Sequence, residues 1–370
     1  MLMNFYRRAW FVAAILLAAA GGVTTCLAEP VREQADLLDR PAQMSSRASR
    51  SVLLAVSRVD KRLVAVGESG IVLLSDDNGN GWRQAKVPTS VALTNVHFAT
   101  ARKGWIVGHG GVVLKSSDAG ETWVKQLDGR QAAQLELAAA KAEAGQGGAA
   151  AGKHLREAEQ LVKDGADKPL LDVFFSDENK GLVVGAYGLI FTTDDGGKTW
   201  QSLKQHLDNP KGKHLYSIHA AGAEFYVAGE QGALYRSSDR AKTFTEVKTP
   251  YVGTYFGALT AAGGELVVFG LRGNVYRSDD HGAAWQKIDT GLPVTITAGS
   301  RLSDASLVLV DETGRVLHSR DGGRSFKQVP VPRPSPFTGV AQAVDGSLVL
   351  SGARGMTQLI PPTNLAEHKQ

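Results

Sequence analysis

A single cysteine, Cys26, stands in the 370 residues, so no pair exists for an internal disulfide and no cysteine cluster for a metal. Long apolar runs are equally scarce: the one that stands out, Ala9 to Ala20, is short for a membrane span, and nothing after it resembles one. Charge imbalance is small, with 41 Lys and Arg against 37 Asp and Glu for a net +4. Loss of the first 28 residues would remove Arg7 and Arg8 and leave +2, which gives nucleic-acid binding no electrostatic basis. No phosphate loop or dinucleotide fingerprint occurs, because the glycine pairs of this chain join strands rather than opening helices. His206, His214 and His219 gather around one connection without a carboxylate or thiol at ligand spacing. No metal and no cofactor is expected.

What the chain does have is repetition. An eight-residue phrase occurs six times: at Ser75 to Trp82, Ser116 to Trp123, Thr193 to Trp200, Ser237 to Phe244, Ser278 to Trp285 and Ser319 to Phe326. Its third-position aspartates, Asp77, Asp118, Asp195, Asp239, Asp280 and Asp321, are separated by 41, 77, 44, 41 and 41 residues. A unit of about forty residues has the length of a β-propeller blade, and the long interval is one unit plus an insertion of about 36.

The phrase reads as a turn between two strands. The Asp carboxylate accepts from backbone N–H groups of its own loop, Gly79, Gly120, Gly197, Gly282 and Gly323 permit positive φ, and Trp82, Trp123, Trp200, Phe244, Trp285 and Phe326 bury against a neighbouring sheet. Ala241 replaces the glycine in the fourth unit, where the turn should be strained or differently shaped. Recurrence in every unit marks these aspartates and aromatics as structural, since a catalytic residue occurs once.

Before each phrase lies a Gly-x-x-Gly turn between apolar strands: Gly67 to Gly70, Gly108 to Gly111, Gly185 to Gly188, Gly229 to Gly232, Gly270 to Gly273 and Gly352 to Gly355. The sixth unit keeps only Gly314, after Asp311-Glu312-Thr313. With alternating and β-branched runs on either side, the reading is all-β: a seven-bladed propeller over 52–360. The seventh unit, from Pro336, ends at Pro361-Pro362 without a fourth strand. A ring must close to cover its last edge, and the segment 29–51 is the expected donor, with Asp36-Leu37-Leu38-Asp39 as a weak strand. The insertion, 130–168, is Ala-rich with two helical stretches, 131–144 and 153–163, and so poor in large apolar side chains that it has no core of its own. Whether it swings free or docks is left open.

Residues 1–28 read as a secretory signal: Arg7 and Arg8, an apolar run, then Cys26-Leu27-Ala28 at the cleavage point. An exported, periplasmic or lumenal product follows, with 361–370 as a tail. Acylation of Cys26 is the lesser alternative, because Val23-Thr24-Thr25 matches a lipobox poorly.

In a propeller, second-to-third-strand turns and blade connections share one face and the Asp turns occupy the other. The first face also receives the insertion. There the residue before the second glycine is Arg272 in unit five and Arg354 in unit seven, and Arg315 follows the turn of unit six. Three guanidinium groups in one sector suit an acidic peptide or anionic headgroup.

The eight-residue phrase resembles the Asp-box, or bacterial neuraminidase repeat, of sialidases and of several non-enzymatic propellers. Together with the Gly-x-x-Gly turns from Val52 to Ile360, it resembles more closely the photosystem II assembly and stability factor family of propellers. That resemblance implies a non-enzymatic, monomeric binding platform with an arginine patch, contacting a nascent membrane protein through its loops or tail and needing no small-molecule substrate. Arg272 and Arg354 match the family's Gly-x-Arg-Gly form. Ser69, Gly110, Tyr187, Gln231 and Thr313 depart from it, and so does the insertion, which points to a relative serving some other membrane protein. The enzymatic alternative is a sialidase or other glycoside hydrolase. It lacks the Arg-Ile-Pro signature, and Tyr251, Tyr255 and Glu230 form no known catalytic spacing.

Overall fold

The computed structural model describes residues 36–360; the expected signal sequence, Cys26 and the expected 361–370 tail lie outside them. Seven antiparallel sheets are arranged in a ring, six of four strands and one of three. The innermost strands are Leu53–Val59, Leu93–Phe98, Leu170–Phe175, Leu215–Ala221, Tyr255–Thr260, Ile296–Arg301 and Phe337–Gln342. Second strands such as Gly104–Gly108 and Leu266–Gly270 are buried along their whole length. Both of their faces pack against neighbouring blades, which is why they read as continuous apolar runs rather than alternating ones. Outer strands shrink to two to four residues, as in Arg83–Gln84 and Val124–Leu127, which limits the exposed edge.

The core lies between blades rather than within them. Val64, Val66, Val72 and Leu74 of blade one pack on Val96, Ile106, Leu114 and Trp123 of blade two. Trp105 is fully buried and stacks on Phe175 of blade three, ring centroids 3.5 Å apart. Blade seven meets blade one through Val349 and Leu63, so the ring is closed.

Closure does not use the expected strand. The segment 36–51 forms no ladder with Thr357–Leu359, and blade seven keeps three strands among the described residues; residues 29–35 lie outside them. Instead Leu38 buries against the blade-one and blade-two core, while Ser90 N–H donates to Leu37 O. The contact with blade seven is a linker contact: Met356 N–H donates to Ser49 O, and a Cβ on Gly355 would stand 2.1 Å from that carbonyl. Gly70 meets Thr89 O, ahead of blade two, at the same 2.1 Å. The segment before blade one thus repeats what the linkers after blades one, four and five do, and a clasp of backbone against glycine stands where the fourth strand was expected.

All six Asp turns share one bonding scheme. Asp239 Oδ1 accepts from Ser237 Oγ at 2.7 Å and Thr243 N at 3.0 Å, and Asp77, Asp118, Asp195, Asp280 and Asp321 repeat both bonds. The five box glycines have φ of +81° to +96°, whereas Ala241 takes +62° behind Arg240, also at +62°. The fourth turn therefore keeps its shape, with Ala241 N–H on Ser237 Oγ like its counterparts, and carries strain instead. Ala241→Val should cost about 1–2 kcal/mol in chemical denaturation, because a β-branched side chain suits the left-handed region poorly. Ala241→Gly should stay within about 0.5 kcal/mol of wild type, its relief offset by the lost methyl contacts and the freer unfolded chain.

The insertion folds as two helices, α1 (Gly129–Ala144) and α2 (Ala149–Asp164). Asp128 caps α1, and Gln131 completes a capping box. The hairpin is docked: Gln205 Nε2 donates to Ala139 O, and Lys153 Nζ to Pro210 O at 2.8 Å, which holds it on the outer edge of blade three and the linker beyond.

Candidate binding face

Each innermost strand carries a register shift at its second residue. Such a bulge re-aims one side chain per blade. The seven residues so placed are Leu54, Thr94, Leu171, Tyr216, Phe256, Thr297 and Thr338, and all line a central cavity of about 760 Å³. Where the residue is threonine, it stitches blades together: Thr94 Oγ1 donates to Leu170 O, Thr297 Oγ1 to Phe337 O and Thr338 Oγ1 to Leu53 O, at 2.6–2.8 Å.

Asp172, next after Leu171 along its strand and also on the cavity lining, is buried. Its oxygens accept from Asn95 Nδ2, Val173 N and Ile218 N at 2.6–2.7 Å, linking blades two, three and four. Burial lifts its carboxyl to about 7 despite these bonds. His97 and His219 bond Phe175 O and Thr260 Oγ1, and burial holds both below the usual imidazole value, His219 at about 4. The other carboxylate lining the cavity, Glu312, accepts from Thr295 N.

The three arginines part company. Arg272 and Arg354 sit at equivalent turn positions on the linker face, one on each side of blade six, both exposed and without an ion pair or side-chain hydrogen bond among the described residues. Arg272 takes φ +56°. Arg315 points inward: it is 9% exposed, its Nε donates to Asp311 Oδ2 at 2.5 Å and its Nη1 to Thr290 O at 3.0 Å. The expectation that Arg315 joins a surface patch is therefore corrected. Ile71, Val112 and Leu189 fill the same buried position in blades one to three, and in blade six the Asp311–Arg315 pair replaces the usual glycine and apolar residue.

The residues weighed for hydrolysis have structural duties. Tyr255 is fully buried, Tyr251 Oη donates to Leu271 O, and Glu230 Oε1 accepts from His214 N. In the Asp turns, hydroxyl and backbone donors outweigh burial and hold Asp239 and Asp321 at about 2. A general acid needs the opposite shift. Among the described residues no three His, Cys, Asp or Glu side chains gather as metal ligands, and no helix is long and apolar enough to cross a membrane.

Sequence reading missed two features of this face. One is an aromatic row: Tyr187, His214, Tyr216 and Phe256 have successive ring centroids 4.8, 6.5 and 5.2 Å apart. Its signal was the large ring at the second position of two inner strands, invisible until the bulge is known. The other is a polar clamp inside the hairpin. His154 Nε2 meets Glu136 Oε1 at 2.7 Å and Nδ1 meets Glu143 Oε2 at 2.6 Å, while Lys204 of the blade-three linker lies 3.5 Å from Glu136.

These features define a closed, Asp-box, seven-bladed β-propeller. A family model described as photosynthesis system II assembly factor YCF48 matches residues 22–115, 74–155 and 151–315, and the chain belongs to that family. The photosystem II assembly lipoprotein Ycf48 of Synechococcus sp. (strain CC9902) is 36% identical over 77 residues, which are 21% of this chain and 23% of that relative. A structure described as YCF48 bound to D1 peptide superposes with a TM-score of 0.61 at 18% identity, covering 87% of this chain and 96% of that one. Virginiamycin B lyase from Staphylococcus aureus gives 0.64 at 10% identity over 86% and 97%. Likenesses at these identities establish the fold alone, which hosts both binders and enzymes.

Proposed function

We propose that this protein is an exported, non-enzymatic assembly platform that holds an exposed loop or tail of a membrane protein on its linker face, with Arg272 and Arg354 as contacts. The observation that carries the reading is the pair of arginines at equivalent turn positions on one face, both exposed and without an ion pair or side-chain hydrogen bond among the described residues. Family membership supports it, and so does a relative whose structure was determined with a D1 peptide. The channel supports it as well: a lone buried Asp172 and a tethered Glu312 do not make the facing carboxylate pair that most glycosidases need.

In a pull-down from solubilised membranes, wild type should retain a membrane protein that the Arg272→Glu, Arg354→Glu variant loses by about tenfold or more, as expected when two charge contacts are reversed. Equal recovery by both would overturn the assignment of these arginines. Turnover of fluorogenic sialosides or β-glycosides, abolished by one acidic substitution, would overturn the non-enzymatic reading.

A further inference from the structure

We infer that the row Tyr187, His214, Tyr216 and Phe256 is a second, apolar half of the binding face, built to take an extended segment with apolar or aromatic side chains in its middle and acidic groups at both ends. The inference rests on the platform reading above and adds the chemistry of the partner segment.

Four observations carry it. First, the bulge position has a structural use that threonine fulfils in three blades by stitching to the next strand; in blades four and five it holds aromatic rings instead. Tyr216 is half-exposed, and its hydroxyl has no hydrogen-bond partner among the described residues. Second, Tyr187 stands 55% exposed on a left-handed turn with φ +57°. A ring is an awkward choice there for folding, because asparagine or glycine fits such a backbone better. Third, Val252, in the linker that leads to Phe256, is 87% exposed, so large apolar surface clusters on the linker side of blades three to five, beside Arg272. Grouped exposed apolar side chains mark interaction surfaces, whereas scattered ones do not.

The fourth observation is charge, which selects the occupant. Lys211 lies beside Tyr187 at one end, its neighbour Gly212 close to Tyr187 O. Arg272 follows Leu271, which lines the channel mouth with Phe256, at the other end. Neither cation has an ion pair among the described residues. Lys168, over the Tyr187 ring, is already matched by Asp164 and Asp167, and Glu230 is tied to His214 N. Two unpaired cations thus flank the rings, one at each end, while the Glu230 carboxylate beside the row is occupied by a backbone N–H. The ring spacings match about five residues of extended chain at roughly 3.3 Å each, and aromatic surfaces of this kind supply contact area at small entropic cost.

The test uses three dye-labelled nonapeptides in fluorescence polarisation. One has two glutamates at each end and alternating leucine and phenylalanine between them, the second has serines in the middle, and the third has lysines at the ends. Wild type should bind the first at least tenfold more tightly than either other. Tyr187→Asn with Phe256→Ser should remove that tenfold preference with the far-ultraviolet circular dichroism unchanged. Should Phe256→Ser not fold, Tyr187→Asn alone, on an exposed side chain whose backbone asparagine accepts, should cost about threefold. Equal affinity of wild type for the apolar and serine peptides, or undiminished binding by the folded variants, would overturn the inference. If that happens while the arginine reversal still loses its membrane partner, the platform reading survives without the apolar half; if the reversal has no effect either, both fall.

Discussion

Replacing Arg315 by alanine will lower global stability by about 3–5 kcal/mol, the cost of breaking a buried ion pair by removing one partner. Asp311 is 0% exposed, and its Oδ2 has the Arg315 guanidinium as its partner, while Oδ1 is held by Thr313 and by Arg315 N. Truncation leaves that carboxylate buried without its counterion. Restoring the pattern of the other blades with Asp311→Gly and Arg315→Leu together should recover most of the loss, since neither charge then remains. Urea denaturation of wild type and the two variants checks this. Partner recovery by folded Arg315→Ala should equal wild type; a selective loss of binding with intact stability would return Arg315 to the binding face.

His154→Ala should release the helical hairpin from the ring. Glu136 is 1% exposed, so without the imidazole it keeps only Lys204 at 3.5 Å and the Ser202 hydroxyl against its burial. Docking should weaken by about 3 kcal/mol, seen as faster amide exchange in α1 and α2 with exchange in the blades unchanged. The clamp is also pH-dependent. Hydrogen bonds to Glu136 and then Glu143 raise the His154 pKa above 6.5, burial and the Lys204 charge opposing. This contribution is complete below 6.5 and is lost as pH rises through the raised value. Burial pushes Glu136 up, but the His154 bond and the Lys204 charge bring it below 4.5. Its contribution is complete above 4.5 and is lost as pH falls through the lowered value. Hairpin protection, corrected for intrinsic exchange, should therefore be greatest between about 4.5 and 6.5 and decline above. Protection that is flat from pH 6 to 9 would contradict the clamp.

Repeating features were legible in the sequence, and single ones were not. The Asp turns, their aromatics and the glycine pairs recur because every blade solves the same packing problem, so six copies announced the ring. Closure occurs once. It differs from the expected strand because the clasp of Ser49 on Gly355 is made by backbone, and in the sequence Gly355 reads only as one more turn glycine of the recurring pair. Arg315 was misplaced for a related reason: sequence gives its position beside a turn, but the inward rotamer depends on Asp311 waiting four residues earlier. The hairpin's docking turned on His154 and Glu136, two polar residues that become partners only when α1 and α2 fold together.

The central claim is that partners bind the linker face and leave the Asp-turn face free. Hydrogen exchange of the protein with and without the membrane protein recovered in the pull-down tests it most directly. The account predicts slowed exchange at 185–188, 214–217, 251–256, 270–273 and 352–355, with the Asp turns at 75–82 and 278–285 unchanged. Slowing confined to the Asp turns would contradict it.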